Sequence, residues 1–198
     1  MSGDLEIGPD GLGRCSWAAA TPELREYHDG EWGLSLTDDD GLFERICLEA
    51  FQCGLSWLTI LRKRDSFRAA FDGFDIERVA GYADGDRTRL LADARIVRNR
   101  AKVEATITNA RAAAALRESD GEGALDRLVW SFAPAGHRAR PRRLVDIVAS
   151  TPESTALAKE LKKHGFVFVG PTTMHAAMQA MGLVDDHLTG CAAVRGAG

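Results

Sequence analysis

The chain has 198 residues, a length that suits one domain or one domain with a small annex. It is 45% hydrophobic and 27% charged, which is ordinary for a globular protein that can build a core without disulfides. No apolar run approaches a membrane span, and the net charge of −4 argues weakly against nucleic acid, although a binding face is local.

Both ends of the chain are predicted to lack regular structure. Residues 1–13 are rich in glycine and have no apolar core, so we expect a disordered tail rather than a secretory signal. Residues 192–198 are expected to form a flexible tail, which leaves residues 14–191 as a single α-helical domain. Without an export signal we expect a reducing, cytoplasmic compartment, where cysteines fill the core or bind metal more often than they form disulfides.

Helical spacing dominates the rest of the chain, and strand alternation is nearly absent. The strongest helix start is Thr37 as N-cap, followed by acidic residues 38–40 at the positive end of the helix dipole. This helix is expected to end at Gly54, and Ser56 is expected to cap the next one. The other predicted helices cover residues 57–64, 66–72, 75–82, 86–94, 98–117, 122–132, 153–164 and 172–181, with a basic loop at 134–152. The predicted class is all-α.

One carboxylate interrupts the apolar ridge of the helix that starts near Thr37. The ridge carries Leu42, Ile46, Glu49 and Cys53. A buried acid costs stability unless it is paired, hydrogen-bonded or in use. Trp57 follows eight residues after Glu49, and residues 27–33 bring Tyr27 and Trp32. These residues predict a pocket for a flat, polar ligand, including a cationic one.

Cysteine and histidine occur in pairs near both ends of the chain. The pairs are Cys15 with His28, and His187 with Cys191. Two thiolates and two imidazoles form a closed tetrahedral zinc set of the structural kind. On spacing alone, unrelated cysteines and surface histidines would look the same, and Cys47 and Cys53 are competing ligands.

Residues 90–100 predict a helix, a tight apolar turn and a second helix. The second helix opens with free backbone N–H groups, which form an anion site, and Arg95, Arg98 and Arg100 flank it. The pattern resembles a helix-hairpin-helix, which grips a DNA phosphate without reading sequence. An ordinary helical hairpin with solvated arginines is the alternative, because Arg95 stands where the usual turn carries glycine.

Several blocks of the chain, in order over roughly residues 14–191, resemble the 3-methyladenine DNA glycosylase I family. The matching blocks are Arg14-Cys15-Ser16-Trp17, residues 27–33, residues 48–57 with Thr59-Ile60-Leu61, residues 166–173 and residues 178–187. The resemblance implies the helix-hairpin-helix glycosylase fold. It also implies one structural zinc per chain that ties the N- and C-terminal segments together through Cys15, His28, His187 and Cys191.

The same resemblance implies roles for the pocket residues. Glu49 matches the catalytic pocket carboxylate that contacts the excised base, and Leu55 matches a residue that fills the gap left by the flipped base. The matching base-binding residues are Trp57, on which the base stacks, and Tyr27, Trp17 and Trp32. Leu24 stands where some relatives carry a second tyrosine. The hydrogen bond or stacking contact of that tyrosine is therefore missing here or supplied by another group. No separate catalytic aspartate is evident.

The implied function is excision of 3-methyladenine from double-stranded alkylated DNA, by a monomer, as the first step of base excision repair. Two alternatives remain. A non-catalytic helix-hairpin-helix DNA-binding module would need none of Glu49, Tyr27 and Trp57. A hydrolase of a free modified nucleoside would not need the arginine clusters near residues 62–64, 95–102 and 138–143.

Overall fold

The computed structural model describes residues 4–136 and 139–193, and this part of the chain is mostly helical, as predicted. Its α-helices are α1 Pro22–Gly30, α2 Asp39–Gln52, α3 Trp57–Ala70, α4 Ile76–Ala80, α5 Asp84–Ala92, α6 Arg100–Asp120, α7 Ala124–Trp130, α8 Pro152–Lys163 and α9 Pro171–Ala180. Short 3-10 helices cover Ser16–Ala20, Asp72–Phe74 and Leu144–Asp146. None of the helices in these two ranges is both long and apolar enough to cross a membrane.

The prediction of a disordered tail at residues 1–13 is wrong for the part that the structure describes. Strand β1 (Leu5–Ile7) pairs antiparallel with β2 (Gly13–Cys15), so that Leu5 lies opposite Cys15. Gly11 has a φ of 77°, which permits the tight turn between the strands. Strands of three residues are too short to show alternation in the sequence, which is why the hairpin was missed. Residues 1–3 of that predicted tail lie outside the described residues.

The predicted C-terminal tail at 192–198 is also held at its start. The Ala192 backbone N–H donates to the Gly13 carbonyl at 2.8 Å, and Arg140 donates to the Ala193 carbonyl at 3.0 Å. The first and last described segments therefore lie side by side. Residues 194–198 lie outside the described residues.

The helices differ from the predicted ones mainly at their boundaries. Helix α3 is continuous where the sequence suggested a break near residue 65, and α1 was not predicted. The N-cap of α2 is Asp38 rather than Thr37, because the Asp38 side chain accepts the Gly41 N–H at 2.6 Å. Such shifts of one or two residues are expected where several capping residues adjoin.

Helix α2 is the central element, and it contacts α3, α6, α7 and α9. Its apolar positions are fully buried, and Phe51 packs against Phe67 with ring centroids 4.6 Å apart. Burying each large apolar side chain contributes about 1.5–3 kcal/mol to the free energy of unfolding, so the side chains of α2 contribute a large share of the stability of the core. The residues that α2 presents to its neighbours are thus held in a rigid setting.

The C-terminal end of α2 is fixed by a buried lysine. Lys102 on α6 donates to the Phe51 carbonyl at 2.8 Å and to the Cys53 carbonyl at 2.6 Å. The ammonium satisfies carbonyls that the helix leaves open and complements the negative end of the helix dipole. Gly54, with a φ of 80°, then turns the chain into α3. The turn that carries Leu55 is held against α6.

Candidate functional site

A cavity of about 180 Å³ opens beside α2, and aromatic side chains form most of its wall. The lining residues are Trp17, Tyr27, Trp32, Glu49, Gln52, Trp57, Ala176 and Gln179. The structure thus gathers all five residues predicted for the pocket around one cavity. A cavity of about 150 Å³ can hold benzene, so this one has space for a single flat heterocycle.

Three lining residues were missed, namely Gln52, Ala176 and Gln179. The available indication was a polar pair four residues apart on α9, His175 and Gln179. Leu24, the position of the missing family tyrosine, does not line the cavity.

The aromatic rings form two walls. Tyr27 and Trp57 are tilted against each other with centroids 5.1 Å apart, while Trp17 meets Trp32 edge-on at 5.1 Å. The Trp57 indole nitrogen is buried without a hydrogen-bond partner in the described structure. Ring faces carry negative potential and attract a flat cation, so this arrangement favours a cationic heterocycle over a neutral one.

Glu49 is the acid of this cavity. It is 5% exposed, and in the described part of the chain its carboxyl group has no hydrogen-bond partner. Burial raises the pKa of Glu49 to about 8, and the charge of Arg45 opposes the shift only in part. A cation that enters the cavity would favour the ionised carboxylate, so the two charges would stabilise each other.

Arg45 lies one turn before Glu49 on α2 but is engaged elsewhere. Its Nη2 donates to Glu31 at 2.7 Å, and Arg64 donates to the same carboxylate at 2.6 Å. The Arg45 guanidinium also lies 5.5 Å from the centre of the Tyr27 ring. Glu31 therefore holds the nearest arginine away from Glu49, and the cavity keeps an acid without a direct ionic partner.

A second cluster lies beside the cavity at the chain ends. The ligand atoms of Cys15, His28 and Cys191 lie within 4.8 Å of one another, which is close enough to hold one metal ion. His187 adjoins them, since its ring centroid is 5.0 Å from that of His28. Cys47 and Cys53, the competing ligands, do not join the cluster, because Cys47 is buried on α2 and Cys53 is exposed near α9.

Both imidazoles of the cluster are oriented by carboxylates. Asp29 contacts His28 Nδ1 at 2.8 Å, and Asp185 contacts His187 Nδ1 at 2.9 Å. Such carboxylate–histidine pairs are the usual outer shell of a metal site. His187 Nε2 is buried without a hydrogen-bond partner in the described structure, an arrangement that costs about 1–3 kcal/mol unless something binds it.

The thiols of the cluster also suit a metal. A hydrogen bond with Cys15 lowers the pKa of Cys191, so Cys191 is the thiol of this pair that ionises more readily. Thiolate and imidazole are the ligands that zinc prefers. The side chains present therefore fit a structural zinc ion.

The cluster supports one wall of the cavity. Trp17 meets the His28 ring edge-on at 5.1 Å, and Trp32 meets the His187 ring at 4.5 Å. Gly33 follows with a φ of 84°, and a Cβ there would fall 2.6 Å from His187 Cε1. The packing of Trp32 on His187 thus requires glycine at the next position.

Helices α5 and α6 are joined by a turn at residues 93–99, so the predicted order of helix, turn and helix is present, and we call this segment the hairpin. Arg98 and Arg100 are exposed and make no ion pair with the residues that the structure describes, whereas Arg95 forms a two-point ion pair with Asp93 at 2.8 and 2.9 Å. Lys63 on α3 donates to the Arg95 carbonyl at 2.9 Å and ties the turn to the α2–α3 pair. Leu55, in the turn between α2 and α3, is 41% exposed.

Several other basic residues counted as clusters in the sequence are structural. Arg64 pairs with Glu31, Arg140 pairs with Asp185 at 2.8 Å, and Arg143 pairs with Asp146 at 2.8 Å. Arg138 lies outside the described residues. Fewer arginines than the sequence suggested are therefore free to bind phosphate, and Arg98 and Arg100 of the hairpin are the main candidates.

The raised pKa of Glu49 predicts pH-dependent stability. Its folded-state pKa lies above the unfolded value of about 4.5, so the free energy of unfolding falls as pH rises from about 4.5 through 8. Glu49→Gln removes this titration. Relative to the unmodified protein, we expect the variant to gain about 2 kcal/mol between pH 5 and pH 7. Urea unfolding at both pH values measures this gain.

The same substitution at the exposed Glu26 controls for the loss of one carboxylate. A difference between Glu49→Gln and the unmodified protein that stayed constant with pH would contradict a raised pKa at Glu49.

Comparison with known proteins agrees with the geometry. A family model described as Methyladenine glycosylase matches residues 17–194. The chain is 48% identical over 181 residues to DNA-3-methyladenine glycosylase 1 of Escherichia coli (strain K12), covering 90% of this chain and 95% of that protein. It is 44% identical over 181 residues to DNA-3-methyladenine glycosylase of Haemophilus influenzae, with coverage of 90% and 96%.

A crystal structure of 3-methyladenine DNA glycosylase I superposes with a TM-score of 0.85 at 48% identity, covering 90% of this chain and 98% of that one. Sequence, fold and cavity thus lead to the same assignment. The chain belongs to the methyladenine glycosylase family.

Proposed function

We propose that the chain is a monofunctional DNA-3-methyladenine glycosylase, which hydrolyses the bond between an N3-alkylated adenine and its sugar and so starts base excision repair. The observation that carries the proposal is the buried Glu49 between aromatic walls, in a chain 48% identical to a protein named DNA-3-methyladenine glycosylase 1. We further propose that it acts in the cytoplasm as a monomer on double-stranded DNA.

The chemistry of the substrate matches the cavity. Alkylation at N3 makes adenine cationic and a good leaving group, so the enzyme need not protonate the base strongly. It must flip the nucleotide, recognise the damaged base and admit a water molecule. The base stacks on Trp57, beside Tyr27, where the ring faces favour a cation.

Glu49 supplies the charge that selects the damaged base. Its carboxylate accepts a hydrogen bond from the exocyclic amine and complements the positive charge of the ring. Because burial disfavours an unpaired carboxylate, ionised Glu49 gains most from a ligand that brings a full positive charge. Normal adenine is neutral and cannot provide it.

The hairpin and the α2–α3 turn hold the DNA in this proposal. Arg98 and Arg100 are free to contact phosphates, whereas Arg95 must first leave Asp93. Leu55 is exposed in a turn that Lys102 holds against α6, so it can fill the gap left by the flipped base.

We also propose that one structural zinc ion binds Cys15, His28, His187 and Cys191. The buried, unpartnered His187 nitrogen and the two carboxylate–histidine pairs support this set. Such an ion would cross-link the two terminal segments and would take no part in the hydrolysis, because four protein ligands would leave no position open for a water molecule.

Each of the two alternative functions leaves one observed feature of the structure without a use. A non-catalytic DNA-binding module has no use for a buried acid that raises the energy of the fold. A hydrolase of free nucleosides has no use for the free arginines of the hairpin. Release of bases from alkylated DNA separates the glycosylase from both.

The first test is base release from DNA treated with a methylating agent. The unmodified protein should release 3-methyladenine, and Glu49→Gln should release it roughly tenfold to a hundredfold more slowly, because one charged hydrogen bond is worth about 1.5–3 kcal/mol. Chromatography of the released bases gives the rates, with Glu26→Gln as control. Equal rates for Glu49→Gln and the unmodified protein would contradict the role given to the carboxylate.

The zinc proposal is tested by metal analysis of protein purified without chelator. We expect one zinc per chain, and none in His187→Ala. That variant should also melt about 4–12 °C lower, since about 2–3 kcal/mol of cross-linking is lost. His164→Ala, at the end of α8, is the matched control and should keep its zinc. Protein that folds fully and contains no metal would rule the site out.

The phosphate contacts are tested by DNA binding at several salt concentrations. Arg98→Ala should weaken binding to all sequences about equally and reduce the slope of log affinity against log salt by about one. Arg78→Ala on α4, a helix that does not form the hairpin, is the control, since Arg78 is also an exposed arginine. An unchanged affinity and slope for Arg98→Ala would mean that phosphate is held elsewhere.

A further inference from the structure

Helix α9 brings a polar side chain, Gln179, to the wall of the cavity. Its Nε2 donates to Asp186 Oδ2 at 2.8 Å, and both Asp186 and His175 are buried. His175 Nε2 lies 3.4 Å from the same Asp186 oxygen and 3.5 Å from Gln179 Nε2. The amide of Gln179 is therefore anchored from behind, away from the cavity.

This anchoring fixes which end of the amide faces a ligand. A carboxylate oxygen accepts hydrogen bonds, so it binds the NH₂ group of a glutamine and not the carbonyl oxygen. With Nε2 held by Asp186, Oε1 is the atom left for the cavity that Gln179 lines. In the described part of the chain, Oε1 has no hydrogen-bond partner. The Glu49 carboxylate and the Gln179 carbonyl are thus both acceptors on the cavity wall.

We propose that Gln179 is a specificity residue, whose Oε1 accepts one N–H of the exocyclic amine of the flipped base while Glu49 accepts the other. The inference rests on the proposed glycosylase function. An amine at this position of the purine has two N–H groups, one for each acceptor. Guanine has a carbonyl oxygen at this position. Because that oxygen is itself an acceptor, neither it nor the acceptors of Glu49 and Gln179 would have a hydrogen-bond partner.

The arrangement therefore selects alkylated adenine over alkylated guanine. A site built to bond a donor rejects an analogue that lacks it, because its buried polar groups then stay unpaired. Asp186 and His175 are positioning residues in this account, since they act through Gln179 and do not touch the base.

The test uses DNA treated with a methylating agent, which carries both 3-methyladenine and 3-methylguanine, and compares the release rates of the two bases. Gln179→Met keeps the length of the side chain and removes the acceptor. We expect 3-methyladenine release to fall roughly threefold to tenfold, the range for one neutral hydrogen bond, and the ratio of the two rates to fall by the same factor.

Gln52→Met is the matched control, since it makes the same chemical change on the cavity wall, and among the described residues no carboxylate binds the Gln52 amide. This variant should leave the ratio of 3-methyladenine release to 3-methylguanine release within about twofold of the ratio for the unmodified protein. An equal loss of ratio in both variants would overturn the inference, because it would reflect general polarity of the wall.

The positioning role is tested with His175→Phe, which keeps a ring and removes both nitrogens. It should lower the ratio by no more than Gln179→Met does, and the double variant should add nothing, because both changes act on one contact. Should Gln179→Met melt early, Gln179→Asn, whose shorter amide cannot reach both partners, must show the same loss of ratio. An unchanged ratio in both Gln179 variants refutes the inference, whereas an unmodified protein that releases neither base refutes the proposed function instead.

Discussion

The cavity depends on the two ends of the chain lying side by side. Ala192 bonds to Gly13, and the side chains of Cys15, His28 and Cys191 meet in one buried cluster. Trp17 and Trp32 rest on the imidazoles of His28 and His187, so the cluster acts as the foundation of one aromatic wall. Whatever loosens the contact between the ends therefore also loosens the wall, even though the cluster takes no part in the chemistry that we propose.

On the opposite side of the cavity, the carboxyl group that we propose recognises the base also lowers the stability of the fold. Glu49 sits on the most buried helix of the described structure, where its charge is disfavoured, and Glu31 draws Arg45 away from it. The fold thus keeps an acid whose ionised form is disfavoured until a cation binds beside it. The free energy that burial costs the empty protein is the same quantity that makes a cationic base preferable to a neutral one. Stability and selectivity are coupled through a single carboxyl group.

The sequence predicted the parts of this design that repeat along the chain or stand close together in it. The ridge that carries Glu49 follows from helical spacing, and the aromatic residues around it lie within a few positions of α1 and α2. It could not predict what depends on distant neighbours. The β1–β2 hairpin is too short to show a period, Gln179 gains its meaning from Asp186, and Arg64 and Arg140 looked free although Glu31 and Asp185 bind them. The role of each predicted site residue in binding a base or a metal stays a prediction.

The contact between the ends also sets the order in which the site can form during synthesis. His28 and Cys191 touch although 163 positions separate them, so the first half of the cluster leaves the ribosome long before its partners exist. Chains emerge at about 5–20 residues per second, so roughly 10–30 seconds pass between the synthesis of His28 and that of Cys191. During that interval the wall of Trp17 and Trp32 lacks the complete cluster against which it packs, so only the other side of the cavity can form. A chain interrupted before residue 187 would therefore carry the buried acid without the complete pocket, and the site is complete only once the segment through Cys191 has been synthesised.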